Sequence, residues 1–256
     1  MRSTFVAGNW KMNGSLAVNA ALLEAVLAEV SGIESGRVAV IPPFPYLSQC
    51  AVKLTGSPVA WGAQDVSEHG PGAHTGDVSA EMVADLGGRF VIVGHSERRA
   101  MHRESNELVA RKAIKVTSIG LAPIMCVGET LQDRESSNTE AVIGRQLDAL
   151  LDVAGVDVLK AGILAYEPMW AIGTGKTATP EQAQEVHAFI RARVRQRDGA
   201  CAAGLRILYG GSVKGSNAAA LFAMPDVDGG LVGGAALVAS EFGQICRAAL
   251  AVRMRD

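Results

Sequence analysis

A carboxylate, an imidazole, an ammonium and two glycine clusters each stand directly after a short apolar run. In AYEPMWAIGTGKT, residues 165–177, Glu167 closes the run GILAYE. A carboxylate set among apolar walls is expected to have a raised pKa and to act as a better base. Pro168 stiffens the chain behind it, and Trp170 can exclude water. His95 follows VIVG and precedes SERR, where the chain turns toward a helix. A helix start aimed at the ring disfavours imidazolium. A neutral imidazole can hydrogen-bond a substrate oxygen and exchange protons with it. Lys11, in GNWKMN, would steer an anion and stabilise developing negative charge, with Asn9 beside it to position it or the substrate. Gly210-Gly211-Ser212 and Gly233-Gly234 offer backbone N–H groups to a phosphate, and Gly173 is available from the loop after Glu167. One base, one neutral electrophile, one cation and a phosphate grip suit proton abstraction beside a carbonyl in a small phosphorylated substrate. The run after Glu167 would act as a lid that excludes water and protects the enediolate from losing phosphate.

Each residue also has an ordinary reading. Glu167 could be a solvated loop acid, His95 a hydrogen-bonded core histidine, Lys11 a surface lysine, and the glycines tight turns. Their common position at the ends of predicted strands favours chemistry. A rival lies in GTGKT itself, which looks like the end of a nucleotide-binding P-loop. Gly175, Lys176 and Thr177 fill that pattern, but Trp170 stands where its first glycine belongs. An indole there blocks the curl that lets successive N–H groups face phosphate. Gly173, Gly175 and Ala178 half-match a dinucleotide fingerprint, but not directly between strand and helix. The nucleotide-hydrolase rival predicts magnesium-dependent ATP binding that is lost on Lys176→Ala.

Eight β-type runs must position these groups: FVAGNW, RVAVIP, VAWGAQ, RFVIVG, LAPIMCV, GILAYE, LRILYG and DGGLVG. Helical patterns separate them, among them Leu16–Val30, Glu104–Ser118, Thr139–Leu151 and Pro180–Arg197. Thr179 is placed to cap the last of these, with Pro180 in its first turn. Near-continuous apolar strands alternating with helices indicate a parallel sheet covered on both faces. Eight such units in 256 residues suit a closed (β/α)8 barrel, with a doubly wound open sheet as the alternative. Both put the site at the C-terminal ends of the strands. No linker divides the chain, so residues 1–256 read as one domain.

Composition sets outer bounds. With 48% hydrophobic residues, 20% charged residues and a formal net charge of −2, the chain has no nucleic-acid footprint. Apolar stretches such as ALLEAVLAEV carry Glu24 and Glu29 and read as amphipathic helix, not membrane span. MRSTFVAGNWK has no apolar core of signal-peptide length. Cys50, Cys126, Cys201 and Cys246 are far apart and form no metal-binding or disulfide pattern. Free thiols in a reducing cytoplasm are the expectation. The site residues suggest neither cofactor nor metal.

The sequence resembles the triosephosphate isomerase family essentially from end to end. The resemblance runs from FVAGNWKMN through VIVGHSERR, PIMCVGETL, AYEPMWAIGTGKTA and ILYGGSV to VDGGLVGGAAL. It implies a TIM barrel that interconverts dihydroxyacetone phosphate and D-glyceraldehyde 3-phosphate without cofactor or metal. Glu167 would move the carbon proton, His95 would polarise the carbonyl, Lys11 would stabilise negative charge, and Asn9 would support binding. Glu97 matches a further acid that contacts Lys11. Amides near Gly173, Ser212, Gly233 and Gly234 would hold the phosphate. The lid would span about 168–178 and exchange hydrogen bonds with Tyr209, Ser212 and Glu129. A second loop, about 65–79, would enter a partner subunit through Gly72–Ser79 and bring Thr75 near the partner's site, making a homodimer. His74 replaces a frequent aromatic there. Asp77 replaces the usual glutamate, so its implied pairing with Arg98 across the dimer would be weaker or water-mediated. Ala236 and Met169 replace a frequent serine and valine. A non-catalytic barrel and another phosphosugar isomerase are the remaining rivals; the first would need a disrupted site, and longer aldose phosphates would test the second.

Overall fold

In a computed structural model, residues 2–173 and 177–252 are described. Thr174, Gly175 and Lys176 lie outside them, and with them part of the expected lid and the core of GTGKT. All eight predicted runs are strands: β1 Phe5–Asn9, β2 Val38–Ile41, β3 Val59–Ala63, β4 Phe90–Val93, β5 Ala122–Val127, β6 Ile163–Tyr166, β7 Ile207–Tyr209 and β8 Gly229–Val232. Neighbours pair in parallel in chain order. β1 also pairs with β8 through Val6 and Gly230, so the sheet is closed and the open-sheet alternative falls. Successive residues of a strand face opposite ways. Phe5, Ala7, Ala39, Ile41, Ile92, Ile124 and Leu208 fill the barrel, while Val6, Val38, Val40, Val91 and Met125 pack under the helices. Burial on both faces explains why the strands read as apolar runs without alternation.

The helices follow local chemistry. Pro180–Arg197 begins at Thr179, whose hydroxyl accepts the Gln182 N–H at 3.2 Å, while the Gln182 side chain accepts the Thr179 N–H at 3.0 Å. This reciprocal cap satisfies two otherwise orphaned donors. Ala183, Val186, His187, Ile190, Arg191 and Val194 form its buried stripe. Arg191 runs along this stripe to the N-terminal end of the barrel. There its guanidinium meets Asp226 Oδ1 at 2.5 Å, Asp228 Oδ2 at 2.7 Å, the Ala202 and Leu205 carbonyls at 2.8 Å each, and the Asp226 carbonyl at 3.2 Å. All five donors of the group are thereby used. Asp228 also accepts from Arg2 Nε and from the Ile207 N–H, both at 3.0 Å.

Candidate active site

At the opposite mouth, β1 ends on Asn9 and the chain turns sharply. Lys11 has φ of 53°, in the left-handed region that side chains other than glycine occupy at a cost. Asn9 Oδ1 accepts the Lys11 N–H at 3.0 Å. Gln64 Nε2 donates to the Lys11 carbonyl at 2.8 Å and to the Ile41 carbonyl at 2.9 Å. Held at both ends of its peptide, Lys11 sends its ammonium to Glu97 Oε1 at 2.5 Å.

The chain leaves β4 through Gly94 and reaches His95, which caps the helix Ser96–His102. Its Nδ1 accepts the Glu97 N–H at 3.2 Å. An acceptor nitrogen carries no proton, so in the neutral ring the proton sits on Nε2. Nε2 lies 2.9 Å from Glu167 Oε1, and the Ser96 N–H donates to Glu167 Oε2 at 2.8 Å. Glu167 is placed by the last rung of the sheet, where its N–H donates to the Val127 carbonyl at 2.8 Å. Two glycines make room for it. A β-carbon on Gly128 would collide with the Glu167 carbonyl, and one on Gly210 would stand 2.8 Å from Glu167 Cγ. The carboxylate is 2% exposed.

Its titration differs from the sequence expectation. Burial does push the Glu167 carboxyl up, but His95, the Ser96 N–H and Lys11 together outweigh it, and the net shift is downward. The apolar walls were legible in the sequence, whereas the two donors that meet the carboxylate, His95 Nε2 and the Ser96 N–H, come from the turn after β4, and the charge of Lys11 comes from the turn after β1. For His95, burial pushes the ring down, and the Glu167 carboxylate beside it, helped by Glu97, lifts it above the ordinary imidazole value. The sequence expectation is that the helix start disfavours imidazolium; the carboxylate of Glu167 reverses that net direction, while the Glu97 N–H leaves the neutral ring's proton on Nε2.

Asn9, Lys11, His95 and Glu167 line one cavity of about 640 Å³ together with Gly173, Gly210, Gly211, Ser212, Gly233 and Gly234. Nearly every predicted site residue is thus on a single wall system. Glu97 stands behind Lys11, off that wall. Gly233-Gly234 leads into one 3-10 turn, Gly234–Leu237, before the helix Ala239–Ala251 begins. The Gly210 cluster precedes the helix Gly215–Phe222, whose first amide is taken by Glu241 Oε2 at 3.0 Å. Beside the cavity, Glu129 accepts from Tyr166 Oη at 3.0 Å and Trp170 Nε1 at 2.9 Å, and Arg134 lies over the indole at 5.1 Å. Burial pushes the Glu129 carboxyl up. Ser96 and Gln64 were missed in the sequence. Gln64 left a signal, because it ends VAWGAQ at the same face as the others; Ser96 acts through its backbone and left none.

Fold and site together define an enzyme of the (β/α)8-barrel class with a buried carboxylate–imidazole pair at its mouth. The chain belongs to the triosephosphate isomerase family, whose sequence model, described as "Triosephosphate isomerase", matches residues 4–249. It is 61% identical over 249 residues to a triosephosphate isomerase of Thiobacillus denitrificans, covering 97% of this chain and 99% of that one. A Nitrosococcus oceani relative of the same name is 58% identical over 249 residues, covering 97% and 100%. One from Cupriavidus necator is 58% identical over 242 residues, covering 94% and 98%.

Proposed function

We propose that this chain interconverts dihydroxyacetone phosphate and D-glyceraldehyde 3-phosphate by proton transfer through an enediolate. The observation that carries the reading is the His95 Nε2–Glu167 Oε1 contact of 2.9 Å, set in the same cavity as Lys11 and the glycine-rich turns. A deprotonated carboxylate is the form that can accept a proton, and the downward shift of Glu167 keeps it so. Glu167 removes a proton from C1 of the ketose, and the electron pair moves onto the carbonyl oxygen. His95 donates to that oxygen and recovers a proton from the neighbouring hydroxyl, ending neutral. Glu167 returns its proton to C2. Since Nε2 carries a single proton, His95 serves the substrate only by giving up Glu167. The pair is therefore a resting partnership that substrate replaces. Lys11 opposes the developing oxyanion, Asn9 and Glu97 position Lys11, and amides of Gly173, Ser212, Gly233 and Gly234 hold the phosphate. Residues of about 168–178 form the lid, steadied at its start by Trp170 on Glu129. No cofactor or metal enters these steps.

The test is proton exchange at the substrate carbon in deuterated water, followed by NMR. Glu167→Gln is expected to abolish it or nearly so. Unchanged exchange in that variant would remove Glu167 as the base. Turnover of longer aldose phosphates at comparable kcat/KM would point to a different phosphosugar isomerase.

We also propose a homodimer in the cytoplasm, formed through the loop of residues 65–79. Met12 is 95% exposed and Met101 74% exposed, and Met82 is half exposed. Large apolar side chains so open to water favour burial against a second copy. Thr75 is at the exposed part of the loop and would approach the partner's site. Arg98 is engaged within its own chain, by Asp65 Oδ2 at 2.8 Å and Glu104 Oε1 at 2.7 Å. Asp77 accepts from Ser67 Oγ at 2.7 Å. These intrachain bonds compete with an Asp77–Arg98 pair across the dimer. No described helix is long and apolar enough to cross a membrane.

A further inference from the structure

We infer that the stacked imidazoles of His69 and His74 make self-association through the 65–79 loop sensitive to acid; the inference rests on the homodimer reading above. The two rings lie 4.4 Å apart, centroid to centroid, with their planes 7° from parallel. Both residues are exposed. The neck of the loop is closed by the Ser67 N–H donating to the Val78 carbonyl at 2.8 Å and by Ser67 Oγ donating to Asp77. Beyond the neck the chain is Gly70-Pro71-Gly72-Ala73, with Gly76 at φ of 94°. Glycine-rich chain has little side-chain packing to fix it. The ring stack closes the middle of the loop and shapes the part that would reach a second copy.

One proton on a stacked pair is tolerated, since a cation can lie against a π face. Two place like charges 4.4 Å apart. The charged groups around the loop decide whether such a pair can be neutralised. Glu68 is bound by Arg111 of the helix Asn106–Ser118. Glu81, in Ala80–Asp85, is bound by Lys115, and both groups lie against Gly70. Asp65 and Glu104 are shared by Lys112 and Arg98. His102 lines the same cavity as His69 and offers no negative charge to it. Asp77 is the acid nearby that holds a neutral partner, Ser67. It can balance one imidazolium and not two.

The sign follows by linkage. A monomer can open the stack and accept the second proton, whereas a dimer that needs the shaped loop resists it. Protons are therefore taken up on dissociation, and the dimer weakens as pH falls. Coulomb repulsion at this spacing in a water-like dielectric gives about a fivefold loss per loop, compounded because a dimer has two loops.

Sedimentation velocity over a concentration series at pH 8.0 and pH 5.8 tests this on the full chain, with circular dichroism to verify that the fold persists. For the wild type the dimer dissociation constant is expected to rise by about fivefold at the lower pH. His74→Phe keeps a ring against His69 but removes one charge, and His69→Gln removes the stack's other charge; each is expected to flatten the pH dependence. A wild-type constant that does not change, or an equal change in both variants, overturns the histidine device while leaving the dimer intact. A chain that is monomeric at pH 8.0 at every concentration overturns the dimer reading itself.

Discussion

The two ends of the barrel both bury charge, and they do so in opposite ways. At the N-terminal end, Arg191 uses all five of its donors and Asp228 is bonded by Arg2, Arg191 and the Ile207 amide. Nothing is left for another molecule. At the C-terminal end, Glu167, His95 and Lys11 are also partnered, but each partner is exchangeable. The Nε2–H of His95 can leave Glu167 for a substrate oxygen, and the Lys11 ammonium rests on a half-exposed Glu97. Saturation makes a staple and exchangeable pairing makes a site. Burial by itself does not distinguish the two, since Asp228 and Glu167 are both almost completely enclosed.

The contrast can be broken most severely at Glu167. Glu167→Gln removes the proposed base and is expected to lower kcat by about 10³- to 10⁴-fold, in steady-state assays, with the urea midpoint little moved. The matching experiment below is Arg191→Met. It leaves Asp226 without its cation and Asp228 with Arg2 alone, and is expected to cost about 3–5 kcal/mol of unfolding free energy, while kcat per folded molecule stays near wild type. A stability loss below about 1 kcal/mol would mean that the N-terminal network is decorative.

His187 sharpens the comparison through pH. It is fully buried beside the Asp226 carbonyl, and burial pushes its pKa down to about 4. Between about pH 6.5 and 4 the unfolded chain binds a proton that the folded chain refuses. Stability should therefore fall as pH falls across that window, by at most about 1.4 kcal/mol per unit. Urea titrations at pH 7 and pH 5 should show the slope in the wild type and less of it in His187→Gln. Glu167 has the same sign. Its folded pKa is depressed, so the stability it contributes is present above the ordinary carboxylate value and is lost as pH falls through the folded one. His95→Gln should move the protonation of Glu167 upward, read by carboxyl ¹³C NMR, because it removes the largest of the lowering influences. The smallest effect is expected at Gln64. Gln64→Ala frees the Lys11 carbonyl without touching its ammonium, and a loss of about tenfold or less in kcat/KM, with no change in fold, is the outcome that fits a positioning role.

Much of this was readable from residues alone. Periodicity located all eight strands because each is apolar on both faces, and Thr179-Pro180 gave the start of one helix to the residue. The candidate set that lines one cavity was legible because function gathers at strand ends, and Glu167, His95 and Lys11 are polar intrusions there. What stayed hidden depends on contacts between distant segments. The direction of the Glu167 shift requires knowing that Ser96 and His95 face it across 71 and 72 positions of chain. The role of Gln64 requires knowing that Lys11 turns left-handed. Arg191, deep in a helical stripe, gave no sign that its charge would be met by acids in the 226–228 turn.

The bond from Arg2 to Asp228 spans 226 positions of sequence, and the β1–β8 pairing that closes the sheet is nearly as long in reach. At roughly 5–20 residues per second of synthesis, the first strand made waits on the order of ten to forty seconds for its second neighbour. During that time one edge of FVAGN has unsatisfied amides and carbonyls, the kind of edge on which chains stick to one another. The pairing that closes the barrel is thus the one for which the chain must wait longest. A shortage of chaperone capacity would be felt at this seam before it was felt at the active site.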